Sequence, residues 1–581
     1  MTGSRIALAM VLLAGCALPA HAQETKAAKA FKDIYTAEWS WRQAQVGRGD
    51  DDVSGSVQDH LPSIDAATQQ ARLDYWTAVL KRLEGVDVKR LSAEDQINYA
   101  VYKTQIENFV ADQKFMTWQA PFNSDSAFWS DLTFRAGHPF RSEEDYRRYI
   151  RMLGDIPRYF GEETANMRLG MARGFTVPKA TLIGRDKSIA DGAADVDQNP
   201  FFKPFQAMPA TIAADAQAKL KAEAAEAIRN SVIPAHRELL AFMQNEYIPH
   251  ARTTLAAEAL PDGAAYYRAQ IHEYTSLDTS PDEIHALGLK EVARIHAEMI
   301  EAMRKTGFQG DLPAFLTYLR TDPKFYAKTP DELLMRAAWI AKKVDGKVGR
   351  YIGKLPRGRF GIQPVPANIA PYWTAGRGGP TVYWLNTYDL PSRPLYNLTA
   401  LTLHESSPGH SLQISLAEEA QGQPAFRRNG YISAYGEGWA LYTEKLGVEM
   451  GMYETPYDDF GRLSYEMWRA CRLVVDTGIH HMGWTRDQAI DYLAQNTALP
   501  RHEIETEVDR YISWPAQALS YKLGELDIER LRAKAEQALG PKFDIRAFHD
   551  AVLSTGSVPL PVLDAHIDQW IAAGGPGTPA D

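Results

Sequence analysis

The chain of 581 residues carries 63 Lys and Arg against 73 Asp and Glu, a formal charge of −10, with 45% hydrophobic residues and two cysteines. At roughly 150 residues per domain this is about two to four domain-sized units, which excludes a disulfide-held miniprotein, and the near-average composition excludes wholesale disorder. An acidic balance without a basic tract excludes nucleic acid as the main partner, and no apolar run after the first 20 residues reaches bilayer length.

The N-terminus combines Arg5, a short apolar run over residues 6–18 and Ala20-His21-Ala22. That pattern predicts a secretory signal over residues 1–22, too short for a stable span. The same run contains Leu13-Ala14-Gly15-Cys16, which resembles a lipoprotein box with a signal over 1–15 and a lipid anchor at Cys16. The two outcomes exclude one another, and both predict the periplasm or cell envelope, with an outer-membrane lipoprotein as the lipidated form. Cys471 is then the only thiol in the body, so no intramolecular disulfide can form. Its setting in "MWRACRLVV" reads as a buried helical face.

Residues 23–581 read as one large, mainly α-helical domain with two lobes, about 23–275 and 276–581. The segment 183–209, rich in Asp, Gly, Ala and Pro, reads as a long surface connection, a lid or a boundary. Helical composition runs through 212–247 and 514–539. Ser280-Pro281-Asp282-Glu283 is a capping box with proline at the first helical position, and Thr329-Pro330-Asp331-Glu332 and Thr485-Arg486-Asp487-Gln488 repeat the signal. Between 360 and 394, "RFGIQPVP" and "TVYWLNTYDL", separated by Gly376-Arg377-Gly378-Gly379-Pro380, predict a small antiparallel sheet.

Directly after it comes "NLTALTLHESSPGHSLQIS". Of the three His-Glu dipeptides, at 272, 404 and 502, only His404-Glu405 has another histidine, His410, within six residues. Two imidazoles and a carboxylate suit zinc, and a glutamate beside the first histidine suits a general base. On a regular helix a six-residue spacing rotates the second ring by about 240°, against about 40° for the usual four. Pro408 and Gly409 lie between them, and proline both lacks an N–H and clashes with the carbonyl four back. A bulge or break there lets the rings converge. The expected third ligand is Glu437 in "YISAYGEGWALYTEKLG", where Gly436 and Gly438 permit close approach of another backbone. Glu444, seven residues on, lies on nearly the same face as a supporting group, and Glu418 and Glu419 are alternative ligands.

"HESSPGH" with "GEGWALY", "RLVVDTGIHHMGWTRDQAIDYL" and "PAQALSYKLGE" resembles the bacterial family known as domain of unknown function 885, often exported proteins or lipoproteins. That family is regarded as zincin-like, similar to the helical gluzincins that include angiotensin-converting enzyme, thimet-type oligopeptidases and the carboxypeptidase Taq group. The resemblance implies a mostly helical metallopeptidase with a deep cleft, Zn2+ held by His404, His410 and Glu437, Glu405 as base, and short peptides as substrates. Tyr521, by analogy with tyrosines of related gluzincins, is the first candidate to stabilise the oxyanion and His481 the second. Arg469 and Arg472, three apart, either clamp a substrate carboxylate or, for Arg472, pair with Asp476. "TVYWLNTYDL" is expected to offer an edge strand to extended peptide. Two further readings stand beside the peptidase: a zinc amidohydrolase of a non-peptide amide, and a non-catalytic envelope binding protein.

Overall fold

Side-chain caps start the helices where the sequence places them. In the computed structural model, which describes residues 25–45, 57–367 and 369–577, Ser280 and Glu283 close a reciprocal box at the helix Pro281–Lys305, and Thr485 and Gln488 do so at Arg486–Asn496. Thr329 caps Pro330–Asp345. Each side-chain oxygen accepts a backbone N–H that the first turn leaves unpaired. The alanine-rich stretch forms Ala214–Ala227 and Ile233–Phe242, joined through a wider π turn at Ile228–Val232, and the C-terminal one forms Ser520–Leu539. The export signal and Cys16 lie outside the described residues. Among the described residues no helix is long and apolar enough to cross a membrane.

Apolar residues sort into two principal cores. The larger joins Phe31, Val101 and Ile106 to Ile295, Trp439 and Trp570. The smaller runs from Val57 and Leu61 through Trp129, Leu153 and Phe205 to Tyr247. The expected division near residue 275 therefore does not follow the cores, because the helices Lys26–Ala44, Ala66–Glu84 and Ala93–Phe115 pack with the C-terminal half. Nor is 183–209 a loose connection. It folds into the short helices Asp186–Gly192 and Lys203–Gln206 and buries Ile189, Phe201 and Phe205 completely; the aromatic content of its second half outweighs its Asp, Gly and Ala.

The sheet is small and mixed rather than antiparallel. β1 (Gly361–Pro364) pairs parallel with β3 (Val382–Leu385), and β2 (Gly376–Gly378) pairs antiparallel with β3, giving the order β1-β3-β2. β2 is the Gly-Arg-Gly segment expected to be a mere connection, and "TVYWLNTYDL" supplies the central strand, not the edge.

The helix Pro456–His480 runs through the larger core with every residue from Phe460 to His480 buried. Charge is buried with it. Lys522, fully buried, lies 2.9 Å from Glu466, 2.7 Å from Glu525 and 3.6 Å from Glu291, while Arg294 and Arg462 also pair with Glu466. Ser433–Glu449 and Ser520–Leu539 cross backbone to backbone: a Cβ on Gly438 would stand 2.4 Å from the carbonyl carbon of Gly524, and one on Gly524 would stand 1.9 Å from the Ala434 oxygen. Gly524→Ala should therefore cost about 1–3 kcal/mol or more. Gly154→Ala, in open space inside Glu143–Ala172, should stabilise by about 0.5–1 kcal/mol. Urea midpoints measure both, and equal shifts for the two variants would refute the crossing.

Candidate metal centre

Leu395–Glu405 ends at the first histidine pair and His410–Glu418 begins with the second histidine, so Ser406–Gly409 breaks one helix into two as the proline requires. The Ser407–Pro408 peptide is cis. The indole N–H of Trp439 donates to the Pro408 carbonyl at 2.9 Å and holds the break in place. Across it the imidazoles of His404 and His410 approach to 4.8 Å between centroids at an interplanar angle of 90°.

Glu437 enters from Ser433–Glu449 and meets both rings. Its Oε2 lies 3.4 Å from His404 Nε2 and 3.2 Å from His410 Nε2, and one donor atom of each residue lies within 4.8 Å of the others. Three ligands at about 2.0–2.1 Å from a tetrahedral zinc are separated by about 3.4 Å from one another. The two histidine–carboxylate separations match that edge. Two edges of the set therefore suit a divalent ion, and the three donor atoms together lie within 4.8 Å of one another. His404 Nδ1 lies 2.8 Å from Glu444, which also pairs with Arg469 at 3.0 Å. A carboxylate at Nδ1 orients the ring and leaves Nε2 facing Glu437. Burial alone would depress His404, but Glu437 and Glu444 outweigh it and hold the imidazole up at about 9. Burial likewise opposes the Glu437 carboxylate, which His410 and His404 hold well below its usual range.

Glu405 lines the same cavity, of about 620 Å³, and its Oε2 accepts the Gly378 N–H at 2.5 Å. Gly378 is obligatory here, since a Cβ would stand 2.0 Å from the Glu405 carbonyl oxygen. In the β2–β3 register the N–H and C=O of Gly376 and Gly378 point away from β3, so β2 is the strand that faces the cavity. Tyr521 stacks on His404, 6.2 Å between rings at 15°, and its hydroxyl accepts from Arg510 at 3.1 Å.

His481 is not brought to the centre. It caps the far end of Pro456–His480, 2.9 Å from Glu258 and 3.5 Å from Asp282. Glu419 is occupied by the N–H groups of Arg357 and Gly358, and Glu418 does not line the cavity. Arg472 pairs with Glu507 at 2.9 Å rather than with Asp476, which accepts from the Tyr267 hydroxyl at 2.6 Å and from the Ala516 N–H. Cys471 is fully buried, and burial pushes its thiol far up, as befits a core residue. Three groups escaped the sequence: Tyr431, whose ring lies 6.5 Å from His410 beside Glu437, and the cavity-lining Arg377 and Arg510. The glycines flanking Arg377 were the available signal, since they mark a close backbone approach.

With this geometry, the chain matches, over residues 42–567, the family described as bacterial protein of unknown function (DUF885). It belongs to that family. Two solved structures share the fold. One is a "putative lipoprotein" from Colwellia psychrerythraea, 27% identical, with a TM-score of 0.87 over 95% of this chain and 100% of that one. The other is a "putative lipoprotein of unknown function" from Shewanella oneidensis, 19% identical, with a TM-score of 0.66 over 93% and 99%. No curated protein matches the sequence.

Glu444→Gln should weaken zinc binding about 10- to 100-fold without loss of helix content, read by competition with a chromophoric chelator. An unchanged affinity would remove Glu444 from the site.

Proposed function

We propose that the protein is an exported zinc metallopeptidase of short peptides. The observation that carries it is the pairing of a three-donor cluster, its donor atoms within 4.8 Å of one another, with a separate carboxylate, Glu405, on the same cavity wall. A closed structural zinc site has four protein ligands and needs no base beside it. Export rests on the signal-like leader and on the description of the Colwellia psychrerythraea neighbour as a "putative lipoprotein".

When bound, zinc supplies a Lewis acid and acidifies water toward pKa about 7. Glu405 takes the proton of the attacking water and hands it to the departing amine; the Gly378 N–H holds one of its oxygens and leaves the other for that transfer. Tyr521 donates to the developing oxyanion. A guanidinium only donates, so the bond from Arg510 leaves the Tyr521 proton free to point into the cavity. β2 offers its other outward groups, those of Gly376 and the Gly378 C=O, to an extended peptide, and a cavity of about 620 Å³ suits a short chain.

Glu405→Gln should retain zinc and lose about 10²- to 10⁴-fold in kcat/KM, while His404→Ala/His410→Ala should lose the metal. Metal analysis and a peptide-library digest read by mass spectrometry check both. Full turnover in Glu405→Gln, or stoichiometric zinc in the double variant, would overturn the assignment.

A further inference from the structure

Away from the cavity, the helix Pro330–Asp345 leaves two large apolar side chains in water. Met335 and Trp339, one turn apart, are each 64% exposed, and among the described residues no other tryptophan is exposed to this degree. Lys342 continues the stripe they form, and Arg336 and Lys343 border it. Leu355, in the loop that follows, is 45% exposed. Single apolar residues on a surface need no explanation, but these sit in a basic stretch of an acidic chain. Residues 336–359 contain eight Lys and Arg and one Asp, whereas the whole chain carries −10. Glycine and apolar residues separate most of the cations, so they form no continuous run.

Ion pairing leaves much of this charge uncompensated. Glu332 takes Arg336, Asp345 takes Lys342 and Glu454 takes Lys343. Lys347 donates to the carbonyls of Met450 and Gly451, and Arg359 to those of Pro356 and Gly358. Among the described residues no carboxylate forms an ion pair with Lys347, Arg350, Lys354, Arg357 or Arg359, and the last four are exposed. The two carboxylates beneath the loop hold its backbone instead: Asp550 accepts the N–H groups of Gly353 and Lys354, and Glu419 those of Arg357 and Gly358. The loop leaves from the last turn of the helix, and β1 returns to pack against that helix. The exposed side chains of helix and loop therefore belong to one continuous surface.

We infer that this surface docks on an anionic lipid bilayer, with Met335 and Trp339 entering the headgroup layer and the loop cations pairing with lipid phosphates. It lies outside the peptidase reading and uses no residue of the metal centre. Charge complementarity selects the partner. A body of net charge −10 is repelled by an anionic membrane and can approach it only through a local basic face. Each Lys or Arg near such a membrane strengthens binding about fivefold. Tryptophan among basic residues is suited to the boundary between headgroups and acyl chains. A protein partner fits less well, since a stable protein interface buries on the order of 1,000 Å² or more around an apolar centre. Three apolar side chains set among cations supply no such centre.

The signal-cleaved chain, residues 23–581, has lost Cys16 and so can bind through no acyl chain of its own. It is cosedimented with vesicles of phosphatidylcholine alone and of phosphatidylcholine and phosphatidylglycerol in equal parts. The anionic vesicles should bind at least about tenfold tighter, and molar salt should remove the difference. Arg350→Gln/Lys354→Gln/Arg357→Gln/Arg359→Gln should weaken binding to them by at least about 100-fold. Lys219→Gln/Lys221→Gln/Arg229→Gln/Arg237→Gln makes the same change of charge on the helices between Ala214 and Phe242 and should leave binding within about twofold. Trp339→Ala should keep its urea midpoint, because the ring is largely in water, and bind about tenfold more weakly. Equal binding to both vesicles, or to neither, would overturn the docking surface, as would equal losses in the two fourfold variants. A dimer in solution that Trp339→Ala dissolves, without vesicle binding, would overturn it in favour of a second copy of the chain. Selective vesicle binding by a chain that cleaves no peptide would support the surface and overturn only the peptidase reading.

Discussion

The crossing of Ser433–Glu449 over Ser520–Leu539 sets the geometry on which the centre depends. Because Gly438 and Gly524 present no side chain, the two backbones touch, and neither helix can slide or rotate without a clash. Everything else follows in register. Glu437 precedes the contact and faces both imidazoles, and Trp439 follows it and secures Pro408. Glu444, two turns further, supports His404 from behind. On the partner helix Tyr521 lies three residues before Gly524 and so reaches the same cavity. One glycine pair thus positions Glu437, Glu444, the helix break and the Tyr521 ring together.

The candidate site was legible in the sequence to the extent that it is written in local rules. The six-residue spacing of His404 and His410 made sense only with a broken helix, and Pro408 and Gly409 stated the break. The caps at Ser280, Thr329 and Thr485 were equally readable, because a cap is settled within four residues. The sheet was harder. A three-residue strand such as β2 has no periodicity to detect, and its glycines, which read as a turn, are there to let Glu405 and His410 pack against it. Tyr521, singled out by analogy with helical gluzincins, does line the cavity, whereas His481, the second candidate for the oxyanion donor, lies at a helix end beside Glu258 and Asp282. Arg377 and Arg510 were invisible because only the tertiary fold brings β2 and the helix Arg501–Ser513 to one cavity.

Charge also explains why Pro456–His480 defeats a simple amphipathic interpretation. Arg462, Glu466, Arg469, Arg472 and Asp476 all point inward, where a periodicity argument would assign them to solvent. Two of them serve the cavity region: Arg469 pairs with Glu444, which supports His404, and Arg472 stacks between Trp468 and Tyr521 at 4.2 Å from each ring. At 3.6 residues per turn the five fall within about 120° of one another, so structural and site-forming charges share one stripe of the helix.

The cluster around Lys522 has a consequence for how the chain finds this arrangement. Its members come from Pro281–Lys305, Pro456–His480 and Ser520–Leu539. Apolar faces are forgiving partners, since a helix displaced by one turn, about 5.4 Å, still meets leucine and valine. Glu466 is not forgiving, for it must meet Arg294, Arg462 and Lys522 at once, and a one-turn slip would strand each charge against hydrocarbon at a cost of several kcal/mol. The buried ions act as a combination lock: they add little to the drive for collapse, and they reject nearly every way of collapsing except the one in which Glu437 and Tyr521 face the same cavity.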